Sequence, residues 1–214
     1  VLANLTIEDL GKIFSGNIEM PMMEERVEAL NSVGVKLSSD FEGDWMNFIN
    51  AGPKRLYKDG EGLIERLLIE FPRFNDKSIY KDTYEVHFYK LAQLAFWGIH
   101  AELSGSKYFV IEDMNSMSAF ADYIIPVALE VMKITEYSEN LKDKILEGTI
   151  IERDSQEEIE IRAASLFATA KLTEEINKRR NKDDQLIIPQ LDYRIWKQYH
   201  ATHRPHHLTV TTMY

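Results

Sequence analysis

The 214-residue sequence contains no cysteine. Disulfide bonds, thiolate catalysis and cysteine-ligated metal centres are therefore excluded, because each of them requires a thiol. The absence also agrees with a reducing compartment, in which structural disulfides are rare. We accordingly expect a cytoplasmic protein.

Long apolar runs are missing as well. No segment approaches the ~20 apolar residues that a helix needs to cross a bilayer. The first residues, Val1 to Thr6, lack the charged stretch that is typical of a signal peptide. The composition, 44% hydrophobic and 28% charged, is ordinary for a globular chain. We expect a single domain over residues 1–214 that does not bind membranes.

Basic residues are scarce relative to acidic ones. The chain has 25 Lys and Arg against 35 Asp and Glu, which gives a formal net charge of −10. Nucleic-acid backbones are bound by clustered Lys and Arg. The one dense basic run, residues 178–182, is followed at once by Asp183 and Asp184, which is typical of a solvated loop. The sequence therefore predicts no nucleic-acid partner.

Two catalytic motifs are also missing, the Gly-x-Ser-x-Gly nucleophile elbow and the Walker phosphate loop. Their absence disfavours α/β-hydrolase and nucleoside-triphosphatase chemistry. Four histidines, His200, His203, His206 and His207, lie close together in the sequence. No third ligand follows at helical spacing, and Pro205 interrupts the pattern. We predict a surface tail here and no metal site.

Apolar residues recur at helical spacing along most of the chain and predict an all-α fold, a bundle of seven or eight helices. Residues 88–103 are apolar on most faces, which is typical of a central buried helix, and Gly105 would end it. Lys90 on this helix either extends to the surface, the commoner case, or reaches into a pocket. Little β structure is expected: a short hairpin or an irregular loop near 79–88, and an extended C-terminal tail.

Local signals mark several helix boundaries. Thr6 and Ser155 are predicted N-caps, and Glu158 would complete a capping box with Ser155. Pro72 and Gly148 are predicted helix ends. Arg162, in the helix that Ser155 opens, lies close to Glu160 on an otherwise apolar face. We predict a buried or half-buried ion pair here rather than catalytic residues.

The most informative stretch runs from Met117 to Tyr123 and leads into Pro126. Proline suits the first position of a helix, so Asp122 is predicted just before a helix start, where the dipole favours a charged carboxylate. Two interpretations stay open. Asp122 is a capping residue, which is the commoner case, or it is a catalytic carboxylate with Phe120 and Tyr123 as the walls of a site for a flat ligand.

Asp192 is a second carboxylate of this kind. It is predicted in the first turn of a helix that Pro189 opens, with Tyr193 directly after it. Cleavage of an N-glycosidic bond uses such groups, because the C1′–N bond breaks through a cation-like sugar that a fixed carboxylate stabilises. The two carboxylates fit this chemistry without requiring it.

Together these segments resemble the queuosine salvage protein family, the queuosine 5′-phosphate N-glycosylase/hydrolases. The resemblance covers nearly the whole chain. The segments that carry it are Met20-Pro21, Glu24-Glu25-Arg26, Glu70-Phe71-Pro72, Phe88-Tyr89-Lys90, Phe120-Ala121-Asp122-Tyr123, Glu158 to Arg162, Leu191-Asp192-Tyr193 with Trp196, and Pro205 with His207.

The resemblance implies a function and a site. It implies a hydrolase that releases queuine from queuosine 5′-monophosphate, with no metal or organic cofactor, and an all-α fold related to the DNA glycosylases. It implies that Asp122 is the catalytic carboxylate and that Phe120, Asp192 and Tyr193 contact the substrate. The rival hypothesis is a catalytically silent helical protein that binds a nucleotide or another protein.

Two features depart from the family pattern. Lys197 occupies the place of a substrate-contacting aspartate, directly after Trp196, so a substrate contact of opposite charge is expected there. The family's N-terminal segment, which contributes a histidine to the substrate pocket, has no match. We expect a domain that is incomplete on its N-terminal side, as a fragment, a processed form or a divergent member. The oligomeric state is not predicted.

Overall fold

The structure, a computed structural model, describes residues 1–18, 20–103 and 109–214. It divides into two compact units, Val1–Asn75 and Asp76–Tyr214. In this described part of the chain, nine α-helices, four 3₁₀ turns and one two-stranded sheet make up the regular structure, which confirms the predicted mainly helical fold. None of the described helices combines the length and the apolar character that crossing a membrane requires.

The first unit consists of four α-helices and two 3₁₀ turns. The helices are α1 (Ile7–Ile13), α2 (Met23–Asp40), α3 (Trp45–Asn50) and α4 (Leu63–Glu70), and the 3₁₀ turns are Leu2–Asn4 and Pro72–Phe74. Thr6 caps α1 as predicted, because its hydroxyl accepts the Asp9 N–H at 3.1 Å while the Asp9 carboxylate binds the Thr6 N–H. The predicted helix end at Pro72 is also confirmed.

An aromatic cluster contributes to the core of the first unit. Phe48 and Phe71 are both buried and lie edge to face, with ring centroids 5.4 Å apart, and Trp45 tilts over Phe71 at 5.0 Å. Such pairs contribute about 0.5–1.5 kcal/mol beyond the burial of their area. Gly34 of α2 lets the first 3₁₀ turn approach closely, since a Cβ there would lie 2.3 Å from the Ala3 nitrogen.

The second unit contains the candidate site. Its elements are strands β1 (Lys77–Tyr80) and β2 (Tyr84–His87), helices α5 (Lys90–Leu103), α6 (Ile124–Val131), α7 (Glu139–Glu147), α8 (Gln156–Asn177) and α9 (Ile188–Tyr199), and 3₁₀ turns at Met114–Ser116 and Lys182–Asp184. Gly148 ends α7 as predicted, at a φ of 70° that glycine adopts without steric cost. Gly105, the predicted end of α5, lies outside the described residues.

Strands β1 and β2 form an antiparallel hairpin, which decides between the two alternatives for this segment. Tyr80 pairs with Tyr84, and the intervening Lys81 and Asp82 both have positive φ, 50° and 54°. The Thr83 N–H returns to the Tyr80 carbonyl at 3.2 Å. This left-handed pair is typical of the tight turns that match the twist of a hairpin. The hairpin leads almost directly into α5.

Helices α6, α8 and α9 pack against one another and form an apolar cluster in this unit. The buried members of the cluster are Ile125, Ala128, Leu129, Ala168, Leu191 and Ile195. In α6 every residue from Ile124 to Leu129 is buried. The start of α6 is therefore held on most sides by close-packed apolar groups, which leaves it little freedom to move.

Two helix predictions differ from the structure. Pro126 is the third residue of α6 rather than the first, a position that tolerates proline because the first four N–H groups of a helix have no intrahelical partner. Helix α5 is buried on one face only, through Ala92, Gln93 and Phe96. Leu94, on another face, is 38% exposed. The apolar residues on that face line a cavity instead of a core.

Candidate active site

Asp122 lies two residues before the first residue of α6. Its Oδ1 atom accepts hydrogen bonds from the backbone N–H groups of Ile124 and Ile125, both at 2.9 Å. These are among the donors that a helix start leaves unpaired. The Oδ2 atom makes no hydrogen bond within residues 1–18, 20–103 and 109–214. Asp122 therefore caps the start of α6 with one carboxylate oxygen, and its other oxygen has no hydrogen bond among the described residues.

Asp122 lines a cavity of about 650 Å³, which we call the Asp122 cavity. The lining residues are Lys90, Leu94, Trp97, Gly98, Ala101 and Glu102 from α5, Phe120 and Asp122 from the segment before α6, and Asp192, Tyr193 and Trp196 from α9. Small-molecule sites have volumes of roughly 300–1,000 Å³ and mostly apolar or aromatic linings. The Asp122 cavity has the size and the lining of such a site.

Asp192 brings a second buried carboxylate to the same cavity. Because α9 begins at Ile188, Asp192 lies in the second helical turn and not in the first, as the sequence had suggested. The helix dipole weakens beyond the first turn, and a direct contact replaces it: the Asp192 Oδ2 atom accepts the Phe120 N–H at 2.9 Å. Asp192 is thus fixed by the segment that carries Asp122.

Lys90, the first residue of α5, is the one cation among the residues that line the Asp122 cavity. Of the two alternatives for this residue, the structure favours the pocket over the commoner extension to the surface. Its ammonium makes no ion-pair contact in the described part of the chain, yet its charge interacts with Asp122 and Asp192. Space for a polar ligand therefore remains between the ammonium and the two carboxylates.

Burial controls the ionisation of these three groups. It raises the pKa of Asp122 above its usual range, although the two N–H groups that bind this carboxylate and Lys90 act in the opposite direction. It raises the pKa of Asp192 to about 7, with the Phe120 N–H opposing the shift and Asp122 adding to it. It lowers the pKa of Lys90, which the two carboxylates partly offset. Such shifted groups, gathered in one cavity, are typical of catalytic sites.

Four of the five predicted site residues, Phe120, Asp122, Asp192 and Tyr193, line this one cavity. Lys197 does not: it is exposed on α9, one helical turn after Tyr193. Its contact with a substrate stays a prediction. Tyr123, the other expected wall of the site, faces elsewhere and packs against His206, with ring centroids 4.5 Å apart and tilted by 34°. Only Phe120 of the expected aromatic pair lines the Asp122 cavity.

Two tryptophans complete the aromatic lining. Trp97 faces Phe120 at 6.5 Å between ring centroids, and Trp196 stacks on Tyr193 at 6.5 Å with an interplanar angle of 15°. Sequence reasoning did not assign Trp97 to the site and left Lys90 between the surface and a pocket. A signal was present, because Lys90, Leu94 and Trp97 recur at the spacing of one helix face.

Arg162 is fully buried behind the Asp122 segment. Its guanidinium pairs with Asp76 and, at 3.4 Å, with Glu158, and its Nε donates to the Ala121 carbonyl at 3.3 Å. The predicted buried ion pair is confirmed, but the partner Glu160 is wrong, since Glu160 is exposed. Residues four apart share a helix face and residues two apart do not, which favours Glu158 as the partner.

The prediction of a surface tail is wrong for His207, which is 2% exposed. Burial lowers the pKa of His207 to about 4, and His206 and Arg162 add to the shift. The backbone explains the burial, because the Leu208 carbonyl accepts the Ile151 N–H at 2.8 Å and holds the segment against the unit. Among the described residues, no group of three or more side chains is arranged to bind a metal ion.

A family model described as Queuosine salvage protein matches residues 1–214. Three relatives share the name Queuosine 5′-phosphate N-glycosylase/hydrolase. The relative from Sphaerobacter thermophilus is 30% identical over 216 residues, which cover 100% of this chain and 64% of the relative. The relative from Mus musculus is 29% identical over 208 residues, 94% of this chain and 60% of the relative. The relative from Schizosaccharomyces pombe is 30% identical over 178 residues, which cover 83% of this chain and 49% of the relative.

The chain thus spans 49% to 64% of the length of these three relatives. The family match extends over both compact units and includes every residue that lines the Asp122 cavity. The chain belongs to the queuosine salvage protein family.

Proposed function

We propose that the protein hydrolyses the N-glycosidic bond of queuosine 5′-monophosphate and releases queuine. Its relatives carry the name of this activity. The observation that carries the proposal is the Asp122 carboxylate. One of its oxygens is fixed by two helix N–H groups, the other has no hydrogen bond in the described structure, and Asp122 lines a cavity of nucleoside size. Capping alone does not require a cavity at the carboxylate.

In the proposed reaction Asp122 acts on the charge that develops at the sugar. The C1′–N bond breaks, its electron pair passes to the base, and the sugar becomes cation-like. The fixed carboxylate stabilises this charge and orients or deprotonates the water whose oxygen bonds to C1′. The proton that the water loses balances the charge of the departing base, which leaves as neutral queuine. No metal or organic cofactor enters this proposal.

The other lining residues have roles that suit a flat heterocyclic base. Asp192, with a pKa raised by burial to about 7, can donate a hydrogen bond when protonated and accept one when ionised. Tyr193 and Trp196, stacked and partly exposed at the cavity, offer faces on which a base can stack. Phe120 adds an apolar wall beside Asp122. The positive charge of Lys90 favours the ionised form of Asp122.

Lys197 favours a second candidate function, a catalytically silent protein that binds a nucleotide or another protein. In the family pattern a carboxylate stands at this position, and the ammonium reverses the local charge. As part of an enzyme, Lys197 would contact a substrate that extends beyond the Asp122 cavity along α9. The two candidate functions differ in one measurable respect, since only the enzyme needs the negative charge of Asp122.

The test is Asp122→Asn in the full-length gene product. The substitution keeps the shape of the side chain and the ability to cap α6, because Asn caps helices about as well as Asp. It removes the charge, and loss of one preorganised electrostatic group costs about 3–4 kcal/mol, or a hundredfold or more in rate. We expect queuine release to fall by that factor while the melting temperature stays nearly unchanged. Free queuine is measured by chromatography at equal concentrations of folded protein.

Asp44→Asn is the matched control. Asp44 caps α3 by accepting the Met46 N–H at 2.8 Å, and it does not line the Asp122 cavity. This variant should keep both the turnover and the melting temperature of the wild type. Wild-type turnover in Asp122→Asn would contradict the catalytic assignment. A wild-type protein that binds queuosine 5′-monophosphate without releasing queuine would favour the silent candidate.

A further inference from the structure

A second cavity, of about 430 Å³, lies beside the N-terminal end of α6 and the C-terminal end of α9. We call it the His206 cavity. Of its ten lining residues, all of them described, none is acidic, and four carry basic side chains: His200, His203, Arg204 and His206. A cavity without a carboxylate is unexpected in a chain that has 35 acidic residues against 25 Lys and Arg. Its lining favours an anion.

The basic groups of the His206 cavity are available to a ligand. The Arg204 guanidinium has no hydrogen bond or ion pair among residues 1–18, 20–103 and 109–214. The His206 ring packs against the Tyr123 ring, with centroids 4.5 Å apart and an interplanar angle of 34°, and its Nδ1 lies 2.8 Å from the His207 carbonyl oxygen. A carbonyl accepts only, so Nδ1 carries the proton of this contact and Nε2 is left for another partner.

His200 is held in a similar way. Its ring stacks on Trp196 with centroids 4.5 Å apart and an interplanar angle of 5°, and its Nδ1 lies 3.1 Å from the Lys197 carbonyl oxygen. Two of the imidazoles are therefore fixed in orientation by aromatic rings and backbone carbonyls. Preorganised donors of this kind lose little conformational entropy when they bind a ligand.

The two cavities are neighbours in the second unit. Trp196 lines both of them, and the consecutive residues Asp122 and Tyr123 line one each. The two cavities therefore share one lining residue, and the chain passes from the lining of one to the lining of the other between Asp122 and Tyr123. The acidic groups Asp122, Asp192 and Glu102 outnumber Lys90 in the lining of the Asp122 cavity, which makes that cavity unfavourable for a dianion.

We propose that the His206 cavity binds the 5′-phosphate of a nucleoside monophosphate whose sugar and base occupy the Asp122 cavity. The proposal rests on the proposed function and extends it by a phosphate subsite. A phosphate monoester carries nearly two negative charges at neutral pH and three strong acceptor oxygens. The planar guanidinium of Arg204 matches these oxygens in a bidentate manner, and the imidazoles add further donors.

The first test does not depend on catalysis. The full-length protein is titrated with ribose 5-phosphate and with ribose, which differ only in the phosphate, and binding is followed by NMR. We expect ribose 5-phosphate to bind the wild type at least about tenfold more tightly than Arg204→Gln, because a charge-assisted hydrogen bond is lost. Arg194→Gln is the matched control, since Arg194 is exposed on α9 and lines neither cavity. It should bind like the wild type.

The second test compares queuosine 5′-monophosphate with queuosine. Arg204→Gln should lower kcat/KM for the monophosphate about tenfold or more and leave kcat/KM for the nucleoside unchanged. Equal losses for both substrates, equal binding of ribose 5-phosphate by the wild type and Arg204→Gln, or no binding of it by the wild type would each overturn the phosphate subsite. An inactive wild type that binds ribose 5-phosphate through Arg204 would instead refute the proposed function and keep the phosphate subsite.

Discussion

The Asp192 carboxylate accepts the backbone N–H of Phe120 over 2.9 Å, across 72 positions of sequence. The Phe120 carbonyl in turn accepts the Asp122 N–H at 2.7 Å. One carboxylate of the Asp122 cavity therefore holds the backbone that carries the other. A change in the charge of Asp192 is expected to act on stability and on the position of Asp122 at once.

The raised pKa of Asp192 makes stability depend on pH. An aspartate in an unfolded chain has a pKa of about 3.9, and burial raises the pKa of Asp192 in the folded protein to about 7. Between these values the folded state binds more protons than the unfolded state, so the free energy of unfolding falls as the pH rises. Asp192→Asn stays neutral and keeps an oxygen that can accept the Phe120 N–H.

We therefore expect the melting temperature of Asp192→Asn, measured relative to that of the wild type, to increase as the pH rises from about 4 to about 8. Thermal unfolding at a series of pH values measures this difference. Asp143→Asn, an exposed aspartate of α7, is the control and should show no such trend. A difference that is independent of pH would show that burial does not shift the ionisation of Asp192.

Arg162 should be among the most sensitive positions of the second unit. It is fully buried, pairs with Asp76 and Glu158, and lies over the Phe88 ring at 3.8 Å. Removing one partner of a buried ion pair leaves uncompensated charges and costs about 3–5 kcal/mol. Arg162→Ala should lose stability on this scale in denaturant unfolding followed by circular dichroism.

The matched comparison for Arg162 is Lys144→Ala. Lys144 pairs with Glu157 at 2.8 Å, but both side chains are about one-third exposed. Exposed pairs contribute about 0–1 kcal/mol, so this variant should lose little stability. Similar losses in the two variants would mean that the Arg162 network does not stabilise the unit more than an ordinary surface pair.

Lys197 should tolerate a reversal of its charge. It is exposed on α9 and does not line the Asp122 cavity, and surface substitutions usually change stability by less than about 0.5 kcal/mol. Lys197→Asp restores the carboxylate of the family pattern, so turnover of queuosine 5′-monophosphate should rise or stay unchanged. A large fall in turnover would show that this protein uses the lysine itself.

The local elements of the fold could be predicted because their signals act within a few residues. Thr6 and Ser155 cap helices through N–H groups three residues away, and Gly148 ends α7 by its own φ. The capping box at Ser155 forms only in half, since the Glu158 side chain turns to Arg162 and the Asp154 N–H instead. Here a tertiary contact replaced the local one.

The candidate site depended on contacts that periodicity cannot show. The chain contains Asp76 and Arg162 at a separation of 86 residues, and no pattern in either segment indicates that they pair. Lys90 could be assigned to the cavity only once α9 and the Asp122 segment were seen to face α5. For Asp122 and Asp192, family motifs identified the residues, whereas the helix-dipole argument misplaced Asp192 by one turn.

Lys90 provides the most specific prediction about the chemistry. Its positive charge lowers the pKa of Asp122, while burial raises it. Lys90→Met removes the charge and keeps much of the apolar stem, so the pKa of Asp122 should rise further. If the ionised form of Asp122 is required, the acidic limb of the pH–rate profile for queuine release must shift to higher pH.

The expected result for Lys90→Met is a loss of rate that is largest at low pH and smaller at high pH, where Asp122 is ionised in both proteins. Lys142→Met, on the exposed side of α7, is the matched control and should reproduce the wild-type profile. The same fractional loss at every pH would contradict this account, because a residue that only binds substrate lowers the rate without moving the ionisation of Asp122. Lost packing alone would admit water to Asp122 and lower its pKa, because burial is what raises it. The acidic limb would then move to lower pH, opposite to the shift expected from loss of the Lys90 charge.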